Sequence, residues 1–549
     1  MSDAVPRPRS ETLGDLLDEI AAATPHSLAV VFRDERLDYA ALKVRADGFA
    51  RALLAAGVRR GDRVALLVRN RTEWLVAAFG AAKIGAVIAA ISTFSTRREL
   101  GWTQHCGASV LVTLDAFRSR SFLDALRDLC PELARSAPGA LQSAKLPALH
   151  TVVAVQGGPT AEVFSLADFF ARGAGVGTEE LAAAQRKVRS EDICYILYTS
   201  GSTAAPKGVT LAHGPLIANG FDIGERMHLT AADRVWLAVP LFWSFGSANA
   251  LPALMTHGGA IVLQESFDPG EAIALIERER CTVYYGVANM ARAMREHPAH
   301  PGRRLGAMRT GLTIGPPEDI MMTIEAVGAA ELCNVYGATE TYGNCAVTDA
   351  HDPVDQRLHS QGLPLPGMTI RAVDPMTREA LPADEVGELV VAGYVTPGYY
   401  RAPELDGAAF DQSGGFLTGD LGSIDIGGRV RFRGRLKEMI KTGGINVAPL
   451  EVEEVLLQHP DIVQAHVIGV ADAAKGEIVA AVVEPRPGAA ADAPAIIAFC
   501  RDRLASYKVP ARLRFYTADQ LPRTPTGKIH KPSLAGAFAS EGGHDAGSG

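Results

Sequence analysis

The chain has 549 residues, enough for three to five compact units at roughly 100–200 residues per domain, fewer if large α/β layers are involved, so a peptide or a lone binding module is excluded. Hydrophobic residues make up 47% and charged residues 21%, a globular mix with ample core material in which disorder cannot dominate. The formal charge of −8 is spread without long runs of one sign and offers no broad basic surface, which argues against nucleic acid as the principal partner.

In chain order, the first twenty residues carry acidic side chains where an export signal needs an uninterrupted apolar core, so nothing there directs secretion. Short apolar runs then alternate with helical patterns: Arg63 to Val68, Ser109 to Thr113, Thr151 to Val155, Ile193 to Thr199 and Ala260 to Gln264. Runs without polar alternation suit strands covered on both faces, and intervening helices make the sheets largely parallel. The stretch Trp74 to Phe94 could pass for a membrane span, but Lys83 near its middle costs about 2.5–3.5 kcal/mol at a bilayer centre. It reads instead as a buried helix followed, after Gly85, by a short strand, and no membrane span is expected. Residues 131–150 and 171–190 look like surface connections.

Near Gly434 the pattern changes to a small α+β unit. Pro449 starts a helix with an apolar stripe of Val452, Val455 and Leu456, and two strands follow at about Ile462 to Gly469 and Glu477 to Val483. The expected architecture is therefore α/β: a large N-terminal domain of layered, largely parallel sheets with helices (1–434), a hinge (435–437), a small mobile α+β C-terminal domain (438–535), and a flexible tail (536–549). The seven cysteines, Cys106, Cys130, Cys194, Cys281, Cys333, Cys345 and Cys500, are widely spaced with no CxxC pair. Buried, reduced thiols in a cytoplasmic protein fit that spacing better than a disulfide or zinc framework.

The chemistry-bearing segments begin with YTSGSTAAPKGV, Tyr198 to Val209, directly after an apolar strand. Hydroxyls of Thr199, Ser200, Ser202 and Thr203, the backbone of Gly201 and the Lys207 ammonium can surround a triphosphate, because exposed N–H groups plus one cation form an anion nest. It is not a Walker loop, which ends in GKS or GKT; here Pro206 precedes the lysine and Gly208 follows it, so a P-loop kinase or NTPase is disfavoured. Alone, the segment reads more readily as a Ser/Thr/Gly surface turn than as a phosphate loop.

Further along come NVYGATETYGN (Asn334 to Asn344), FLTGDLG (Phe416 to Gly422), GRLKEMIKTGGINVAPLEVE (Gly434 to Glu453) and PRTPTGKIHK (Pro522 to Lys531). This ordered set closely resembles the adenylate-forming superfamily of acyl-CoA synthetases, luciferases and peptide-synthetase adenylation domains, from about residue 25 to about 533. The resemblance implies a ligase that joins a carboxylate to the α-phosphorus of ATP, releases pyrophosphate, and passes the acyl group to a thiol with release of AMP. Mg²⁺ and cations are needed because two anions must meet. It further implies that Glu340 holds Mg²⁺, that Thr339 contacts the α-phosphate and that Tyr336, beside Gly337, stacks on adenine. Gly315, Pro316 and Pro317 would lie along adenine, Asp420 would accept from both ribose hydroxyls, and Arg435 would add a ribose or phosphate contact. Lys528 would be the catalytic lysine of adenylation, Lys441 would serve the thiol step, and Lys437 would sit at the hinge. Each of these has a plainer reading in isolation, as a turn residue or a solvated charge.

Three departures from the family pattern stand out: Ala204 where glycine is common, Trp243 where PLFH has histidine, and the pair Ala288–Asn289 where proline and threonine are common. Peptide-synthetase domains hold an ammonium with an aspartate, but Leu241 to Leu251 contains no acidic residue, which points to an acid without a cation. Trp243, Phe245, Tyr284, Tyr285, Gly286 and Tyr342 are candidate walls for a fatty or aryl acid, with plain core packing as the alternative for the aromatics. CoA is the favoured acceptor; a phosphopantetheinyl carrier protein or an amine would use the same first half-reaction. The oligomeric state is left open.

Overall fold

The structure, a computed structural model, describes residues 5–94, 105–118, 120–156, 160–199, 207–442, 445–472, 475–489, 492–523 and 529–538. Its contacts divide the chain into two compact units: residues 1–370, 391–417 and 428–430 in one, and 371–390, 418–427 and 431–549 in the other. The second unit thus takes in two segments upstream of Gly434 that no composition change marks.

Two large sheets dominate the first unit. One runs in the order Leu363–Pro364, Ala346–Val347, Glu331–Tyr336, Thr310–Thr313, Val283–Tyr285, Arg234–Leu237, Ala260–Leu263, Leu28–Phe32, Glu35–Asp38. Its six central strands are parallel, with antiparallel strands at the edges. The other runs Lys207–Ala212, Ile193–Thr199, Val87–Ala90, Arg63–Leu67, Val110–Thr113, Thr151–Ala154, Phe164–Ser165, and is parallel except at its first pair. The expected apolar runs are all strands, and Val87–Ala90, Val110–Thr113, Thr151–Ala154 and Ala260–Leu263 are buried along their whole length, as sheets covered on both faces require.

The stretch around Lys83 is the buried helix Thr72–Lys83 followed by the strand Val87–Ala90. Lys83 has no exposed side-chain surface and pairs with Asp18 at 2.5 Å and Asp47 at 2.9 Å. Among the described residues no helix is long and apolar enough to cross a membrane.

The segment 171–190 is more ordered than its composition implies, with the helices Leu166–Arg172 and Thr178–Gln185 around a short 3₁₀ turn. Gly173 explains the packing: a Cβ there would lie 2.7 Å from the Ala52 backbone nitrogen, so glycine lets the chain close onto the helix Tyr39–Ala55. Residues 131–150 likewise insert Leu133, Leu141, Leu146 and Leu149 into a core cluster. Isolated leucines in a Pro/Ala-rich stretch carry no periodicity, which is why that insertion is invisible in the sequence.

In the second unit the helix Pro449–Leu457 buries Val452 and Leu456 against the antiparallel strands Ile462–Asp472 and Gly476–Pro485. Residues 537–538 of the expected tail are packed, and 539–549 lie outside the described residues. Ala535–Phe538 is a 3₁₀ turn, and Phe538 is buried against Ile468, Val482, Leu521 and Leu534.

Candidate active site

The phosphate-loop candidate closes a hairpin. Strand Ile193–Thr199 pairs antiparallel with Lys207–Ala212, and Thr199 stands opposite Lys207 at its open end. Ser200, Gly201, Ser202 and Thr203, with Ala204, lie outside the described residues. The outer edge of Lys207–Ala212 is covered by the segment 396–400. Tyr400 N–H donates to the Gly208 carbonyl at 2.7 Å. Thr210 Oγ1 donates to the Gly398 carbonyl at 2.6 Å, and Val209 bridges Tyr399. Lys207 Nζ lies 5.1 Å from the centroid of the Tyr399 ring.

Strand Glu331–Tyr336 delivers the second segment, with Tyr336 buried at its end. Thr339–Thr341 then forms a 3₁₀ turn, and Tyr342 and Gly343 both adopt positive φ, 58° and 92°. This turn is held from outside itself: Asn249 Nδ2 and Asn219 Nδ2 donate to the Tyr342 carbonyl at 2.8 and 3.2 Å. A Cβ on Gly343 would come within 2.3 Å of Asn249, so the residue must be glycine for space as well as for φ. Thr339 Oγ1 meets Ser244 Oγ at 3.0 Å. Glu340 is fixed at two points, its carbonyl accepting from Thr396 N–H at 2.6 Å and its Oε1 from the Tyr399 hydroxyl at 2.8 Å. Burial, with the Glu340 carboxylate beside it, pushes the Tyr399 phenol well up, so it stays a neutral donor.

Gly315 and Pro316 link strand Thr310–Thr313 to the helix Pro317–Val327. Neither Pro316 nor Pro317 has an N–H, so no backbone donor exists at either position.

On the acid side, Trp243, Ser244 and Phe245 keep partial exposure. They lead into a π-helical turn, Phe245–Ala250, an irregularity common at functional sites. Tyr284 and Tyr285 leave opposite faces of one strand, as period-two alternation demands. Tyr284 is packed in the core, stacked on Trp236 at 5.7 Å, with its hydroxyl donating to Val287 O at 2.8 Å. Tyr285 turns the other way, its ring 4.7 Å from Phe245. The buried Gly286 sits where a Cβ would strike the Tyr284 ring at 2.7 Å. Tyr342 is buried, and its hydroxyl accepts from Ala212 N–H at 3.0 Å. Of the five candidate aromatics, then, Trp243 and Phe245 present open surface.

Within the second unit, Asp420 is almost fully buried and pairs with Arg435 Nε at 2.8 Å. Its backbone N–H donates to Thr418 Oγ1 at 3.0 Å. Lys437 is exposed on a 3₁₀ turn, Leu436–Glu438. Lys441 lies in the strand Ile440–Thr442, its N–H donating to Glu477 Oε2 at 2.7 Å. Lys528 lies outside the described residues.

Tyr399, Thr396, Asn219, Asn249 and Ser244 escape sequence reasoning. The run GYVTPGYYR around Tyr399 reads as an aromatic turn, and nothing local pairs it with a glutamate 59 positions earlier. Among the described residues, His228, Asp349 and His351 bring one ligand atom each to within 4.8 Å of one another. Their imidazoles stack at 3.9 Å and 12°, however, so the in-plane lone pairs cannot meet on one ion unless the rings turn. All seven cysteines are buried and free.

Residues 17–400 match the AMP-binding enzyme family, and residues 451–528 match the AMP-binding enzyme C-terminal domain. YngI of Bacillus subtilis (strain 168), named as an acyl-CoA synthetase, is 34% identical over 530 residues, spanning 95% of this chain and 96% of its own. The mitochondrial medium-chain acyl-CoA ligase ACSF2 of Danio rerio is 32% identical over 96% of this chain and 88% of its own. ATP-bound MatB from Rhodopseudomonas palustris superposes with a TM-score of 0.81 at 28% identity, over 96% of this chain and 99% of that one. The amide bond synthetase McbA from Marinactinospora thermotolerans superposes at 0.80 and 26% identity, with the same coverage.

Proposed function

Because the chain belongs to the AMP-binding enzyme family and is an AMP-forming acid–thiol ligase using ATP, Mg²⁺ and CoA, we propose that Lys207, Thr339 and Glu340 carry its nucleotide chemistry. The observation that carries this reading is the meeting of Lys207 and Glu340 on one side chain, Tyr399, whose ring lies 5.1 Å from the Lys207 ammonium and whose hydroxyl donates to the Glu340 carboxylate at 2.8 Å. Glu340 fits a hard cation: its carboxylate oxygens are the ligand type Mg²⁺ selects, and one of them is already oriented by a neutral donor. When bound, Mg²⁺ neutralises phosphate charge and polarises the α-phosphorus.

Thr199 and Lys207 close on the phosphates from the hairpin, and Thr339, backed by Ser244, presents its hydroxyl to the α-phosphate. Tyr336 with Gly337 and the Gly315–Pro317 segment serve adenine through ring and carbonyl contacts, since the prolines cannot donate. Asp420 and Arg435 serve the ribose. Lys528 neutralises the carboxylate and α-phosphate during adenylation, Lys441 serves the thiol step, and Lys437 absorbs the rotation between the two.

For the acid, we assign an uncharged acyl or aryl tail walled by Trp243 and Phe245. The absence of acidic side chains from Leu241 to Leu251 supports this choice. So do the partial exposure of the two rings and the medium-chain substrates in the name of one relative. Free, buried thiols support a reducing, cytoplasmic setting.

The test is a panel of carboxylic acids, scored for acid-dependent exchange of labelled pyrophosphate into ATP and for CoA-dependent AMP release. Exchange with apolar acids, followed by thioester formation, is the expected result. Exchange followed by acyl transfer to an amine but not to CoA would move the chain to amide synthesis, and absence of exchange with every acid would refute adenylation.

A further inference from the structure

A glutamate that binds a metal through one carboxylate needs that carboxylate held, because an unrestrained glutamate side chain loses rotamer entropy on ordering. Glu340 lies on a short 3₁₀ turn that positions its backbone and leaves its side chain partly exposed. Among the described residues, the side-chain contact recorded for its carboxylate is the Tyr399 hydroxyl on Oε1 at 2.8 Å.

Tyr399 is itself locked. It is 7% exposed, and its N–H donates to Asp406 Oδ1 at 2.9 Å. It also bridges Val209, two residues beyond Lys207, and its neighbour Tyr400 donates to Gly208, the residue after Lys207. The same ring lies 5.1 Å from the Lys207 ammonium, within cation–π range. One side chain therefore spans from the strand that carries Lys207 to a carboxylate on the 3₁₀ turn that follows a strand of the other sheet.

We infer that Tyr399 is a positioning residue for the nucleotide: its hydroxyl holds Glu340 in the orientation that receives the metal, and its ring registers Lys207 against that carboxylate. The inference rests on the assignment of Glu340 as the metal ligand and adds a residue that acts through it. The hydroxyl donates to Oε1 at 2.8 Å and leaves Oε2 to take the metal, so on this reading the tyrosine sets the metal contact through Glu340 and the phosphate contact through Lys207.

Tyr399→Phe removes the hydroxyl and keeps the ring, so the fold and the Lys207 contact are retained; the unfolding midpoint checks this. The readout is Mn²⁺ held in the enzyme–ATP complex, measured by electron paramagnetic resonance, alongside ATP binding without metal measured by calorimetry. We expect Mn²⁺ to be held about five- to twentyfold more weakly in Tyr399→Phe, with metal-free ATP binding within about twofold of wild type. Glu340→Gln should lose most Mn²⁺ retention, and adding Tyr399→Phe to it should cost less than about twofold more, because the hydroxyl acts only through the carboxylate. Unchanged Mn²⁺ affinity in Tyr399→Phe, with Glu340→Gln defective, would overturn the inference and leave the metal assignment standing. Fully additive losses in the double variant would also overturn it. Wild-type Mn²⁺ retention in Glu340→Gln would remove the metal assignment and the inference together.

Discussion

Replacing Trp243 with alanine locates the acid. The indole is partly exposed, tilted against Phe94 at 6.0 Å and edge-on to Phe242 at 5.9 Å, and the π-helical turn begins two residues later. Each aromatic contact contributes about 0.5–1.5 kcal/mol, so the truncation costs the fold roughly 1–3 kcal/mol, which a domain with this much buried core survives. On the substrate side the vacated volume accepts more hydrocarbon. Each additional methylene buried there is worth about 0.8 kcal/mol, close to fourfold in kcat/KM, and three of them compound to roughly sixtyfold. The assay compares wild type and Trp243→Ala on a series of straight-chain acids differing by single methylenes and on aryl acids of increasing bulk, at saturating ATP and CoA. The optimum should move to larger acids, with KM for ATP unchanged within about twofold, because no nucleotide contact is touched. A uniform fall across the series, with the ranking of acids preserved, would show that Trp243 is core and that the acid lies elsewhere.

Lys528→Ala should abolish adenylation while largely sparing thioester formation from supplied acyl-adenylate; equal loss in both half-reactions with the fold intact would mark the lysine as structural. Lys437→Pro should preserve single-turnover pyrophosphate release and slow consumption of the acyl-adenylate by CoA about tenfold or more, since proline fixes φ where rotation is required; wild-type rates in both steps would refute the rotation. Lys83→Met should shift chemical unfolding at pH 7 by about 2–3 kcal/mol, below the usual cost of breaking a buried pair because its partners Asp18 and Asp47 keep some exposure. Burial raises the Asp18 carboxyl, but the Lys83 ammonium and the Gln185 and Lys43 contacts outweigh it and hold Asp18 below its ordinary value. That stabilisation is therefore present above the unfolded-state value of about 3.9 and lost as pH falls through the lower folded-state value. The Lys83→Met penalty should shrink in the same acid window, and a penalty independent of pH would contradict the pairing.

Local chemistry made much of this protein legible from its residues in order. An apolar run without alternation, such as Val110–Thr113, can only satisfy its side chains in a sheet covered on both faces, so strand identity and the parallel α/β class follow from composition and spacing. Tyr198–Val209, the Thr339–Glu340 pair, Asp420 with Arg435, and Lys528 stand out because their motifs follow one another in the order that the adenylate-forming superfamily shows, and the roles proposed for them rest on that resemblance. Tertiary structure decided whatever depends on which residues meet across sequence distance. Tyr284 and Tyr285 look alike in the sequence, yet one stacks on Trp236 in the core and the other reaches Phe245, because strand alternation sends neighbours to opposite faces and only the assembled sheet says which face meets which layer. Phe538 falls in a segment that composition marks as tail, and is instead core because Ile468 and Leu534 stand ready to cover it. Tyr399 reaches Glu340 and Lys207 because residues 396–400 cover the edge of strand Lys207–Ala212 while Glu340 lies on the 3₁₀ turn that follows strand Glu331–Tyr336 of the other sheet. Such a juxtaposition depends on how two sheets pack, and a linear pattern of residue types carries no record of it.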